Sequence, residues 1–324
     1  MSETVRPPRI VDLERIERAL ERVDVVALME QGFAAYSRGE VVVPPVGELL
    51  FEEPPGDVHI KYGYIRGDDS YVIKIASGFY ENPGLGLPSS QGLMLLFCSR
   101  TGSLKAVLLD NGHLTDIRTA AAGAVAARHL APRDVRRIGI VGAGTQGRLQ
   151  LCHLRQVTTC RDALVWSPAP EEFPAYRSAL EGSDLRVETT SNIEDLPAEC
   201  NLIVTATPST EPLLRAAWIR PGTHVTAVGS DTANKIELEP EILGMADLVV
   251  ADSLAQSESR GEVFRAVQAG AISRDDVLEL GSVIDAPARA RTDDSLITVC
   301  DLTGVAVQDI QIAKAVYGSI EPGG

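Results

Sequence analysis

No apolar run in this sequence approaches the ~18 residues that a membrane span requires, and its opening, M-S-E-T-V-R-P-P-R, lacks the apolar core of a secretory signal. Cysteine is scarce. Cys98, Cys152, Cys160, Cys200 and Cys300 are odd in number, scattered and without C-x-x-C spacing. Such a set argues against a disulfide framework and against thiolate metal ligation, and it reads as reduced thiols in a cytoplasmic protein. Positive charge is also short: the 30 Lys and Arg against 45 Asp and Glu leave a net charge of −15. That balance argues against nucleic acid or an anionic membrane as the main partner. Internal repeats and low-complexity segments are absent too.

What remains is an ordinary globular composition, 44% hydrophobic and 23% charged over 324 residues, enough for two domains with separate cores. The central stretch is R-I-G-I-V-G-A-G-T-Q-G, residues 137–147. A short apolar strand runs into Gly142, Gly144 and Gly147 at G-x-G-x-x-G spacing, and R-L-Q-L-C-H-L-R continues at helical spacing. Strand, turn and helix fall in the order that dinucleotide binding needs. One glycine makes the tight turn, one admits a pyrophosphate to the backbone, and one lets helix pack on strand.

Around that stretch the chain changes character. Residues 1–9 read as a loose arm, and 12–22 and 24–38 as amphipathic helices, the second capped by Asp24 and stopped by Gly39. Residues 47–105 are β-like. Runs 58–64 and 71–77 join through R-G-D-D, and runs 93–98 and 104–109 through S-R-T-G, both as hairpins. From a helix expected at 118–130 onward, strands at 163–166, 185–188, 201–206, 224–229, 247–251 and 296–300 alternate with helical segments. That rhythm predicts an α/β, Rossmann-type, doubly wound parallel sheet. A last helix, 305–317, could return to the first region. The expected domains are therefore 1–117 with 302–324, an α+β substrate and dimerisation domain with antiparallel strands, and 118–301, a Rossmann domain.

Four motifs together resemble the ornithine cyclodeaminase/mu-crystallin family: V-I-K-I-A-S-G-F-Y-E-N-P-G-L-G-L-P-S-S-Q-G, L-T-D-I-R-T-A-A-A-G-A, G-A-G-T-Q-G, and A-V-G-S-D-T-A-N-K-I-E-L. The resemblance implies a homodimeric nicotinamide enzyme acting on a small imino or amino acid. It also covers lyases that cyclise ornithine with bound NAD, alanine dehydrogenases, ketimine reductases and a non-catalytic hormone-binding lens protein. By the same resemblance, Lys74 and Arg118 would hold the substrate carboxylate and Asp231 would be the catalytic acid. Ser89, Arg118, Thr119, Thr145, Gln146, Thr207, Val228, Gly229, Ser230, Asp231 and Lys235 would lie against the cofactor. Asp231 also follows a strand end, the edge of such sheets where ligands bind. Without the resemblance each has a plain reading: Lys74 as a solvent-facing strand lysine, Arg118 as a first-turn helix residue, Asp231 as a turn residue.

Two departures bear on substrate and cofactor. Val46 stands where many relatives carry an arginine, and H-I-K-Y-G-Y instead puts His59 and Lys61 on one strand face by period-two alternation. That face is either solvated or a relocated cationic site. In the second case the pocket holds more positive charge than one carboxylate needs, which points to a dicarboxylic substrate, iminosuccinate, reduced to aspartate. Ser167, about twenty residues past the last glycine, is where ribose selectivity is set. No acid stands there, yet no Arg or Lys occurs from 166 to 176, and Glu171 and Glu172 would repel a 2′-phosphate. NAD(H) is therefore expected over NADP(H). No metal is expected.

Overall fold

The structure, a computed structural model, describes residues 7–79 and 81–320. The chain divides into two compact units, Met1–Arg118 with Val305–Gly324, and Thr119–Gly304. Of the expected N-terminal arm, residues 1–6 lie outside the described residues, and the rest leads into a strand.

The first unit is built on seven strands: β1 (Arg9–Val11), β2 (Val41–Val42), β3 (Gly47–Phe51), β4 (Gly56–Ile65), β5 (Ser70–Phe79), β6 (Ser90–Cys98) and β7 (Leu104–Leu108). Their order is β1-β7-β6-β5-β4-β2, with β3 also on β4. The two hairpins are antiparallel. The region is not wholly antiparallel, however, because β1 pairs parallel to β7. Helices α1 (Leu13–Leu20) and α2 (Val25–Ser37) are capped by Asp12 and Asp24, whose carboxylates accept from Arg15 N and Ala27 N. Each cap satisfies an otherwise orphaned first-turn donor.

Helix α3 (His113–Leu130) begins five residues earlier than the expected 118. The tight turn Asn111–Gly112, both at positive φ, brings the Asp110 carboxylate back onto Leu114 N at 2.9 Å. Arg118 thus sits in the second turn, not the first, beyond the N-terminal turn where the helix macrodipole disfavours a cation.

The second unit contains β8 (Ile138–Val141), α4 (Thr145–Leu154), β9 (Asp162–Trp166), α5 (Phe173–Ser178), β10 (Arg186–Thr190), α6 (Asp195–Glu199), β11 (Leu202–Thr205) and β12 (His224–Ala227). It continues with α7 (Pro240–Met245), β13 (Leu248–Ala251), α8 (Gly261–Gln268), β14 (Val277–Glu279), α9 (Leu280–Asp285) and β15 (Thr298–Asp301). All eight strands are parallel, in the order β10-β9-β8-β11-β12-β15-β13-β14. The order reverses at β8, the switch point that opens a ligand crevice beyond the strand ends. Strands β8, β11, β12 and β15 are buried throughout, as a sheet covered on both faces requires. His224 is among them, held between the Thr298 and Thr226 hydroxyls, and burial pushes its imidazole down to about 3, so it is a neutral structural group.

Helix α10 (Ala306–Ser319) belongs to the first unit, where it packs on α2, β4 and β5. A Cβ on Gly63 would stand 3.4 Å from Ile310 Cδ1, and one on Gly32 3.1 Å from Gln311 Cγ. The first approach sets α10 on the Gly63 face of β4, and the second sets it close against α2.

Candidate active site

In β4 and β5 the alternation places Lys61 and Lys74 on the face under α10, while Tyr62, Tyr64, Ile73 and Ile75 take the other. The surrounding apolar letters of V-I-K-I-A had suggested a solvent-facing lysine. The structure reverses that pattern: Lys74 is 2% exposed and Lys61 7%, whereas Tyr62 is 39% exposed. The lysines are directly opposite each other in the ladder. Like charges in that position repel, so something must offset them.

The offset is Asp309, in the first turn of α10 and 1% exposed. Its Oδ1 stands 3.2 Å from Lys74 Nζ and 3.1 Å from Arg118 Nε. Gln308 braces the same guanidinium, its Oε1 accepting from Arg118 Nη1 at 3.3 Å while its Nε2 donates to the Arg118 carbonyl at 3.3 Å. Burial would raise Asp309, but Lys74, Arg118 and Lys61 together hold it below the usual carboxylate range. Burial likewise pulls Lys74 down to about 7, with Asp309 opposing and Arg118 and Lys61 reinforcing. Asp110, which caps α3, also feels the Lys74 charge, although burial leaves its carboxyl raised. Sequence reading had missed Asp309 and Gln308, seeing only the apolar stripe of this helix.

His59 lies two residues before Lys61 on the same face. Its Nε2 is 3.3 Å from Glu48 Oε1, across the β3–β4 ladder, and its Nδ1 is 3.9 Å from Asp57 Oδ1. It therefore has acidic neighbours of its own. Ser89 is exposed in the turn before β6, its carbonyl accepting from Phe79 N.

In the second unit the glycine motif has the three properties that a dinucleotide demands. Gly142 turns at φ +112°, and a Cβ there would stand 2.7 Å from Ala206 O. A Cβ on Gly147 would stand 1.9 Å from Gly142 O and 3.0 Å from Ile140 Cγ2, so only glycine lets α4 pack on β8. Beside Gly144 there is open space for at least 4 Å, where a phosphate can reach the backbone. Gly144 is the N-cap of α4 and brings no side chain to the first-turn N–H groups. Thr145 opens that helix and is exposed, and Gln146 is half-buried. Thr119, on α3, accepts from Gln150 Nε2 through its carbonyl at 3.1 Å.

The loops after β11 and β12 are tied by one buried carboxylate. Glu237 accepts from Thr205 Oγ1 (2.7 Å), Thr207 N (2.6 Å), Thr207 Oγ1 (2.7 Å) and Gly229 N (2.8 Å). Glu262 in turn accepts from Glu237 N and Leu238 N. Between these anchors Val228 is buried and Ser230 Oγ donates to Lys235 O at 2.8 Å. Asp231, its side chain 40% exposed, meets Lys235 Nζ at 2.7 Å. Expected as a cofactor contact, Lys235 is here the ion-pair partner of Asp231. Ser167 is 3% exposed, and its hydroxyl donates to Glu172 at 3.0 Å.

A sequence profile of the ornithine cyclodeaminase/mu-crystallin family matches residues 8–324. An uncharacterized cyclodeaminase of Sinorhizobium fredii is 43% identical over 302 residues, 92% of this chain and 91% of that protein. An archaeal alanine dehydrogenase dimer with bound NAD superposes at TM-score 0.88 and 32% identity, covering 96% of this chain and 95% of that one. The iminosuccinate reductase of Paracoccus denitrificans in complex with NAD+ superposes at 0.86 and 30%, covering 97% and 96%. With its glycine cradle, its parallel sheet and its buried cation cluster set in a chain matched almost end to end, this protein belongs to the ornithine cyclodeaminase/mu-crystallin family.

Proposed function

We propose that the protein is an NAD(H)-dependent reductase of an α-imino acid, with iminosuccinate, reduced to aspartate, as the substrate. The observation that carries this reading is the convergence of Lys61, Lys74 and Arg118 on one buried carboxylate, Asp309. Three buried cations gathered in one place suit a doubly anionic guest. Similarity to the Paracoccus iminosuccinate reductase supports the same choice.

In this mechanism Lys74 and Arg118 bind the α-carboxylate, and Gln308 keeps the guanidinium in one orientation. Lys61 takes the second carboxylate. Burial of these groups removes competing water and strengthens each contact. Asp231 keeps the imine nitrogen protonated, which makes the carbon a better acceptor. The nicotinamide, when bound, supplies the hydride. The cradle of Gly142, Gly144 and Gly147 would hold its pyrophosphate, with Thr145 and Gln146 available to it. The chain acts as a homodimer in this reading, as the archaeal relative does, and exposed Tyr62 and Tyr64 on the outer sheet face suit a subunit contact.

Imine formed from oxaloacetate and ammonia should be reduced at least tenfold better than that formed from pyruvate, because a charge-assisted contact is worth about 1.5–3 kcal/mol. Lys61→Ala should erase most of that preference. Steady-state NADH oxidation with both mixtures measures it, and equal losses on both would remove the dicarboxylate assignment. A second reading is favoured by the Sinorhizobium relative, which is named a cyclodeaminase. It requires ammonia release from ornithine with no net NADH consumption, and the same assay separates the two.

Binding should also depend on pH. With no ligand, Lys74 loses its proton near pH 7, whereas a bound carboxylate favours the protonated form and raises that value. Affinity is then full below about pH 7 and falls as pH rises toward the bound-state value, by up to about tenfold per unit. Calorimetric titration with succinate from pH 6 to 9 should give this slope, and Lys74→Met should flatten it.

A further inference from the structure

Strand β9 ends with its Trp166 carbonyl accepting from Gly142 N at 2.7 Å, so the strand end is pinned to the glycine turn. The next residue, Ser167, occupies the position from which an acid ordinarily reaches the adenosine ribose. It cannot do so itself: it is 3% exposed, and its hydroxyl is engaged with Glu172 Oε2 at 3.0 Å while accepting from Ala169 N at 3.2 Å. What Ser167 does is hold the Glu172 carboxylate five residues further along the chain. Glu172 in turn lines a cavity of about 250 Å³ together with Gly144, Thr145, Arg148 and Tyr176. The acid missing from the strand end is thus returned to the glycine cradle from the following turn.

That cavity carries one residue of each sign. Arg148, on the first turns of α4, would attract a 2′-phosphate, and Glu172 would repel it. A free ribose hydroxyl has the opposite preference, because a carboxylate accepts its hydrogen bond. Tyr176 donates to Gly147 O at 3.2 Å, which ties α5 to the start of α4 and keeps the two walls in register.

We propose that Glu172 selects NAD(H) over NADP(H) by accepting from the ribose 2′-hydroxyl in this cavity, with Ser167 as its positioning residue and Arg148 as a latent 2′-phosphate partner. The inference rests on the dinucleotide reading above and adds the residue that discriminates. It is independent of which imino acid is reduced.

The test is binding, read from the fluorescence of NADH and NADPH titrated against each protein without substrate. The parent should bind NADH more tightly. In Glu172→Gln, NADH should weaken and NADPH tighten, moving the ratio of dissociation constants by about tenfold to a hundredfold toward NADPH. Ser167→Ala should move it the same way by less. Adding Arg148→Ala to Glu172→Gln should abolish the gain for NADPH, and adenosine 2′,5′-bisphosphate should compete with NADPH in the single variant only. An unchanged ratio in Glu172→Gln overturns the proposal, whatever happens to the absolute constants, as does a parent that prefers NADPH. A parent that binds neither nucleotide overturns the dinucleotide reading itself, a result distinct from the other two.

Discussion

A Lys74→Met variant is expected to fold, bind nucleotide and turn over substrate about a thousandfold more slowly, since it loses a charge-assisted hydrogen bond and the alignment that depends on it. Methionine occupies similar volume, and its neutrality relieves the repulsion between Lys61 and Lys74 across the β4–β5 ladder. Asp309 keeps Arg118, so its carboxylate is not stranded. The melting temperature should therefore change little while kcat/KM collapses. Arg118→Leu should behave differently. Its loss leaves Gln308 and Asp309 short of a buried donor, which costs about 3 kcal/mol or more of stability as well as activity. Denaturant titration beside single-turnover kinetics distinguishes the two variants. Near-normal turnover in Lys74→Met would remove that lysine from carboxylate binding.

Asp231→Asn carries the other large effect. The amide preserves shape and can still meet solvent, so NADH binding should persist. It cannot pass a proton, and the rate should fall by about 10²–10⁴-fold. Lys235, 2.7 Å from the carboxylate, would lose its ion-pair partner, but at a half-exposed pair that costs little stability. The informative measurement is the pH–rate profile. The limb that depends on Asp231 in the parent should be missing from the variant, and an unchanged rate and profile would place proton transfer on another group.

Local chemistry made much of this legible. The glycine motif could be read because Gly142 and Gly147 answer to neighbours within a few residues or on an adjacent strand, as the Gly142–Gly147 approach shows. The Asp24 cap acts across three residues, and both hairpins close through short turns. The start of α3 was not legible, because it depends on the Asp110 carboxylate returning through a turn at Asn111–Gly112. Strand β14, three residues long, has too little periodicity to announce itself. The burial of Lys74 could not be read from alternation alone, and only the family resemblance pointed to it. Alternation says which residues share a face but not which face is covered, and the cover is α10. Asp309 escaped entirely, since its ion pair with Arg118 spans 191 positions of sequence.

That long separation has a consequence for the order in which the protein is made. Lys61, Lys74 and Arg118 leave the ribosome early, whereas the counter-ion that lets them be buried together comes from the last helix. At about 5–20 residues per second, the 191 positions between Arg118 and Asp309 take roughly 10–40 s to synthesise. During that interval the cationic face of the first unit lacks its buried counter-ion, and β15, which lies between β12 and β13 in the second sheet, is itself made only near the end. A chain released before Asp309 would carry the glycine motif but lack the carboxylate that lets the three cations be buried. Assembly of the buried cation cluster therefore waits on the synthesis of α10.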